Sequence, residues 1–267
     1  MRRLAALVIA TLFTIAPLSA AERAPIRVMF VGNSLTYVNN LPGVVVALAR
    51  SQPNGPAIET VTYVAPGGSL HERWEDGVAA TALRDHHVDV LVLQERGAVL
   101  GCMQSDVDRV SSDCRDALVA HRAFATLARE LGTHVVLLET WSPDAGGQPA
   151  QHEGALRIAG RIGATVVHAG DALQAQARAT SRAATFPDGI HPSLGATLVM
   201  AAQLYQVIAG TPPVPVTLRI DVPLLPLTAA IDPRVPLETG LPVKPASVYV
   251  LAPEALAPVL ERAARYR

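Results

Sequence analysis

The chain has 267 residues, half of them apolar, enough to bury the core of one large domain. Its 22 Lys and Arg against 23 Asp and Glu give a formal net charge of −1, which excludes the basic surface of a nucleic-acid binder. The two cysteines form no CxxC pair and no Cys/His cluster at zinc-ligand spacing, so the sequence carries no metal signature.

At the start, Met1, Arg2 and Arg3 precede an apolar run over 4–18, and Ser19, Ala20 and Ala21 offer a small-residue cleavage site. This pattern predicts a secretory signal peptide over 1–21; a membrane anchor is the competing reading, but the run is shorter than the roughly 20 apolar residues of a span. The expected product is an exported protein, periplasmic or secreted, with no stable membrane anchor after cleavage. In such an oxidising compartment Cys102 and Cys114, which flank a polar stretch, are expected to pair.

Residues 26–31 read as the first strand. The segment 41–50 reads as a helix, with Asn39 or Asn40 as N-cap and Pro42 in its first turn. A second strand at 58–64 precedes a helix at 70–83, and the continuous apolar run at 88–93 has the form of a strand buried on both faces. Leu118, Phe124, Leu127, Ala128 and Leu131 recur at helical spacing in 115–131, ahead of Gly132. A strand at 135–138, a helix at 151–162, a strand at 165–167 and a helix at 193–209 complete the pattern. The alternation predicts a flavodoxin-like three-layer α/β/α domain with a mainly parallel five-stranded sheet, over 22–210. Beyond it, prolines from Pro212 to Pro245 interrupt the chain too often for helix. The stretch 211–267 reads as a proline-rich extension with short strands at 216–222 and 247–251 and a terminal helix at 254–264.

In open parallel sheets ligands sit outside the carboxyl ends of the strands. Ser34 follows the first strand there, but a serine hydroxyl needs a base within hydrogen-bond reach and a group that orients that base. Asp188-Gly189-Ile190-His191-Pro192 supplies both, His191 as base and Asp188 as its orienting acid; the same string also reads as a surface turn capping the last helix. A tetrahedral intermediate needs donors, and the N–H groups of Ser34 and Gly68 are candidates, with the Gln94 amide as a third. Gly67 and Gly68 also fit an ordinary turn, and Gln94 an ordinary strand end. Asn33, His71 and Trp141 are candidate substrate contacts, with an exposed helix histidine and a core aromatic as the plain alternatives for the last two.

Val-Gly-Asn-Ser-Leu-Thr at 31–36 resembles the first block of the SGNH (GDSL-like) hydrolases, and Asp-Gly-Ile-His-Pro at 188–192 resembles their last block. Gly67 and Gly68 fall where the oxyanion glycine of that family belongs. The resemblance implies a Ser34-Asp188-His191 triad, an oxyanion hole of Ser34 N–H, Gly68 N–H and an amide side chain, and ester hydrolysis with no metal or cofactor. The third block of the family, GxND, is replaced by Val-Leu-Gln-Glu-Arg at 92–96, similar to a subgroup with Gln-Glu after the strand. The amide role therefore falls to Gln94, and Asn33 stands where Asp is usual. The implied function is removal of small acyl groups, acetyl among them, from a small-molecule or carbohydrate ester outside the cytoplasm. Alternatives on the same residues are an acyltransferase, a lipase or thioesterase, and a catalytically silent carbohydrate-binding protein.

Overall fold

The computed structural model describes residues 24–104 and 111–266, so the predicted signal peptide lies outside the described residues. In β1 (Ile26–Gly32) the side chains alternate between two apolar layers. Val28 and Phe30 enter one cluster, and Met29 and Val31 enter the other. A one-turn helix α1 (Ser34–Tyr37) follows at once, and then α2 (Leu41–Ser51). Asn40, in the left-handed region at φ 53°, is the N-cap of α2 and accepts the Gly43 N–H at 3.1 Å.

β2 (Ile58–Val64) leads into α3 (Leu70–Glu75) and α4 (Val78–Asp85). The single helix expected over 70–83 is thus two, because the chain turns left-handed at Gly77, φ 70°. β3 (Val90–Gln94), α5 (Ser112–Glu130), β4 (His134–Leu138), α6 (Gln148–Ile162) and β5 (Thr165–Val167) come next. α7 (Ala169–Ala179) was not anticipated: its buried face holds two Ala, a Gly and two Gln beside the single large apolar Leu173, so no apolar period marks it. α8 (Arg182–Thr185) and α9 (Leu194–Ala209) follow, with Ser193 capping α9.

All five strands are parallel, in the order β2-β1-β3-β4-β5. This is the flavodoxin-like order, and its reversal point lies between β1 and β3, where such folds place their ligand crevice. One face carries α2, α7 and α9, whose Leu48, Leu173 and Leu204 pack on Val92 and Val136. The other carries α4, α5 and α6 through Leu83, Phe124 and Ile158. Each fully buried side chain of this size contributes roughly 1.5–3 kcal/mol by leaving water.

The proline-rich segment forms an antiparallel pair, β6 (Leu218–Ile220) with β7 (Tyr249–Leu251), and ends in α10 (Pro253–Ala264). Leu218, Ile220, Leu256 and Leu260 share the core of α2 and α9. The Glu238 carboxylate accepts the Thr62 N–H at 2.9 Å and the Thr62 hydroxyl at 2.7 Å, so the tail satisfies an edge donor of β2. Cys102 and Cys114 are joined, Cα to Cα 5.9 Å, and tie the 3₁₀ turn Val99–Met103 to the start of α5.

Candidate active site

The end of β1 has little room. A Cβ on Gly32 would stand 2.6 Å from Gln94 Oε1 and 2.8 Å from Thr36 Oγ1, so only glycine lets the strand end this close to β3. Asn33 is extended and caps α1, its side chain accepting the Leu35 N–H at 3.0 Å. Ser34 is therefore the first residue of α1, where an N–H has no intrahelical acceptor.

The 188–192 turn meets it from the far end of the chain. Asp188 Oδ1 accepts the N–H groups of Ile190 at 3.0 Å and His191 at 2.7 Å, which folds the turn around its own carboxylate. Oδ2 lies 2.7 Å from His191 Nδ1, and His191 Nε2 lies 2.9 Å from Ser34 Oγ. Partial burial pushes the Asp188 carboxyl up, but the hydrogen bonds from the His191 N–H, the Ile190 N–H and the His191 ring outweigh it and hold the carboxyl below its ordinary range. An ionised Asp188 fixes the His191 proton on Nδ1 and leaves Nε2 free to accept from the serine.

Three contacts hold the two halves together, and periodicity reveals none of them. Asn39 Nδ2 donates to the Pro192 carbonyl at 2.7 Å and to Thr197 Oγ1 at 3.1 Å. The Trp141 indole N–H donates to the Ile190 carbonyl at 2.7 Å, while its ring stacks on Phe186 with centroids 5.7 Å apart. Arg182 donates to the Gly189 carbonyl at 3.0 Å and also to the Pro143 carbonyl, bridging the β4 exit and the 188–192 turn.

A cavity of about 280 Å³ opens beside Ser34 and His191. Leu35, Trp141, Pro143 and Ile190 supply apolar wall, and Asn33, Gly67 and Arg96 border it. Trp141 and Asn33, the candidate substrate contacts, thus border this cavity. His71 is not among the lining residues; it lies on α3, which packs against α5, and its Nδ1 is buried without a partner.

Two expected oxyanion donors are otherwise engaged. Gln94 does not line the cavity: its Oε1 accepts the Asn33 N–H and the Thr36 hydroxyl, each at 2.9 Å, and its Nε2 donates to the Glu95 carbonyl. In this structure the Gln94 amide, expected as a third oxyanion donor, is folded under the turn that carries Ser34. The Gly68 N–H donates to the Ala65 carbonyl at 3.1 Å across a turn with Gly67 at φ 67°, and the Gly68 carbonyl accepts from Asn33 Nδ2 at 2.8 Å. Gly67, not Gly68, borders the cavity.

Outside this cavity, Glu139, His152 and His168 bring metal-competent atoms within 4.8 Å of one another. They come from the ends of β4 and β5 and from α6, a distribution that no linear spacing discloses.

No protein-family model and no curated protein matches the chain. Solved structures do match. A protein from Slackia heliotrinireducens, provisionally named an SGNH hydrolase, aligns with a TM-score of 0.56 at 20% identity, over 68% of this chain and 98% of its own. The acetylxylan esterase Axe2 from Geobacillus stearothermophilus aligns at 0.53 with 16% identity, over 68% of this chain and 94% of its own. A catalytic variant of Axe2 aligns at 0.54 with 15% identity, over 71% and 97%. The chain has the fold of the SGNH hydrolases. At these identities the likeness speaks to fold alone, so activity has to be argued from side chains. Among the described residues no helix is long and apolar enough to cross a membrane.

Proposed function

We propose that the protein is a serine ester hydrolase of the SGNH type, acting on short acyl esters. The observation that carries this is the unbroken relay from Asp188 Oδ2 through His191 to Ser34 Oγ, at 2.7 and 2.9 Å, on the wall of a small cavity. His191 takes the serine proton as Ser34 Oγ attacks the ester carbonyl, and Asp188 stabilises the imidazolium that forms. The tetrahedral oxyanion is met by the Ser34 N–H, and by the Gly68 N–H once it leaves the Ala65 carbonyl. His191 then protonates the departing alcohol. Water, deprotonated by the same ring, then attacks the acyl-enzyme, and the ring returns that proton to Ser34 Oγ as the Oγ–acyl bond breaks and the acid leaves.

A volume of about 280 Å³ falls below the usual range for drug-sized ligands and suits an acetyl or similarly short acyl group. The likeness to an acetylxylan esterase motivates an acetylated carbohydrate as the alcohol side. Export through a leader at 1–21 belongs to the same reading, and the amino terminus of protein recovered outside the cytoplasm tests it.

The deciding experiment offers purified protein a panel of aryl acetates, longer aryl esters and acetylated xylo-oligosaccharides. Wild type should release phenol or acetate with a preference for short acyl chains, and Ser34→Ala should be inert. Equal inertness of both proteins across the panel would sink the proposal.

A further inference from the structure

Beyond the catalytic cavity, the exits of β4 and β5 bring together side chains that ester hydrolysis does not use. Glu139 follows β4 and is fully buried; His168 follows β5; His152 is on α6 and Asp171 on α7. His168 Nδ1 lies 2.9 Å from Glu139 Oε2. His152 Nδ1 lies 3.4 Å from the same oxygen and 3.0 Å from Asp171 Oδ2. Despite those distances, His152 Nδ1 is buried and makes no hydrogen bond, so it points into the group without being satisfied by either carboxylate. The two imidazoles tilt toward each other with centroids 5.1 Å apart.

The surroundings hold these atoms in place. Gln148 Nε2 donates to Glu139 Oε1 at 2.7 Å and to Asp171 Oδ1 at 3.0 Å, which leaves the other oxygen of each carboxylate facing the histidines. Gly170 lets α7 close over the group, since a Cβ there would stand 2.7 Å from Glu139 Oε1. A cleft of about 380 Å³, bordered by His152 and Asp171, gives access from solvent.

We propose that Glu139, His152 and His168 bind a divalent transition-metal ion, zinc by preference, with Asp171 or water completing the coordination. Zinc in a tetrahedral site takes His nitrogen and carboxylate oxygen at about 2.0–2.2 Å, which sets neighbouring ligand atoms about 3.4 Å apart. Two of the separations, 2.9 and 3.4 Å, lie near that spacing, and all three ligand atoms lie within 4.8 Å of one another. Two imidazoles with a carboxylate favour zinc over calcium or magnesium, which take all-oxygen sets. Two carboxylates so near each other, with only imidazoles and an amide between, form a site that a dication neutralises. Such an ion clamps α6 to the ends of β4 and β5. It is independent of the ester-hydrolase reading.

The test uses tag-free, chelator-treated full-length protein titrated with Zn²⁺ in equilibrium dialysis, and with Co²⁺ followed by visible absorption. One equivalent should bind, Co²⁺ should show the intense bands of a low-coordinate N/O site, and saturating Zn²⁺ should raise the melting temperature by about 5–10 °C. His152→Ala removes a partly exposed ligand; the metal-free variant should still melt cooperatively while its Zn²⁺ affinity drops roughly 100-fold. His87→Ala, at a separate exposed His–Asp pair, should bind as wild type. The proposal is overturned by no uptake at micromolar Zn²⁺, by uptake unchanged in His152→Ala, or by uptake lost in His87→Ala.

Discussion

The side-chain oxygen of Gln94 accepts the backbone N–H of Asn33 at 2.9 Å, so the end of β3 holds the turn that presents Ser34. Gln94→Ala leaves that buried N–H and the Thr36 hydroxyl without their acceptor. The expected cost is about 1–3 kcal/mol of stability, a fall in melting temperature of roughly 2–10 °C. Turnover on an aryl acetate should fall only about tenfold, whereas loss of an oxyanion donor costs about 10²–10³ in kcat. A full 10³-fold loss with an unchanged melting curve would restore Gln94 to the oxyanion hole.

Asp188→Asn separates orientation from charge. The Asn oxygen can still accept from the Ile190 and His191 N–H groups, so the turn should keep its shape, with a modest loss of thermal stability at neutral pH. Its amide nitrogen faces His191 Nδ1 as a donor and forces the wrong tautomer. Turnover should drop by about 10⁴. Because Asp188 is held below its ordinary carboxyl range, its ionised form stabilises the fold above that range and the contribution is lost as pH falls through the folded value. Acid unfolding of the variant should lack that component.

Trp141→Phe keeps an aromatic ring over Phe186 and removes the donor to the Ile190 carbonyl. We expect a loss of about 1 kcal/mol in stability. A several-fold fall in kcat should accompany it, because the turn carrying His191 is less firmly placed. Steady-state kinetics beside a denaturant melt would decide it; kinetics identical to wild type would mean that Asn39 and Arg182 suffice.

Glu95 gives a pH test away from the triad. Burial pushes its carboxyl up to about 7, against the hydrogen bonds it accepts from the Arg96 and Leu70 N–H groups. Between about 4.5 and 7 the folded state therefore holds a proton that the unfolded chain has released, and stability falls as pH rises through that window. Neighbouring His121, pushed down to about 4 by burial, acts oppositely and costs stability as pH falls below its ordinary 6.5. The two slopes largely cancel in wild type. Glu95→Gln removes one of them, and should gain about 3 kcal/mol relative to wild type between pH 4 and pH 8. Parallel stability curves would refute the buried, protonated carboxyl.

The parallel sheet was legible in the sequence because buried strands are short, continuous and apolar, and because Asn, Ser and Gly cluster where they end. Ser34, Asp188 and His191 stand out in the sequence as candidates for a related reason: each lies near a strand end or a helix cap, where local sequence decides backbone shape. Other features left weak traces. The buried face of α7, with Leu173 its single large apolar residue, hides its period, and Gly77 breaks what the apolar spacing presents as one helix.

What the sequence by itself determined, then, is the layer architecture, the strand ends and the residue types offered there. Only the tertiary structure decided which way those side chains point. Gln94 turns inward because Asn33 and Thr36 offer it donors, and Trp141 reaches Ile190 across 49 positions of chain. The Glu139, His152 and His168 group exists only because three elements converge at one edge of the sheet. Periodicity reports on a residue's neighbours along the chain, whereas a hydrogen bond or a ligand set depends on distance in space, which packing alone sets.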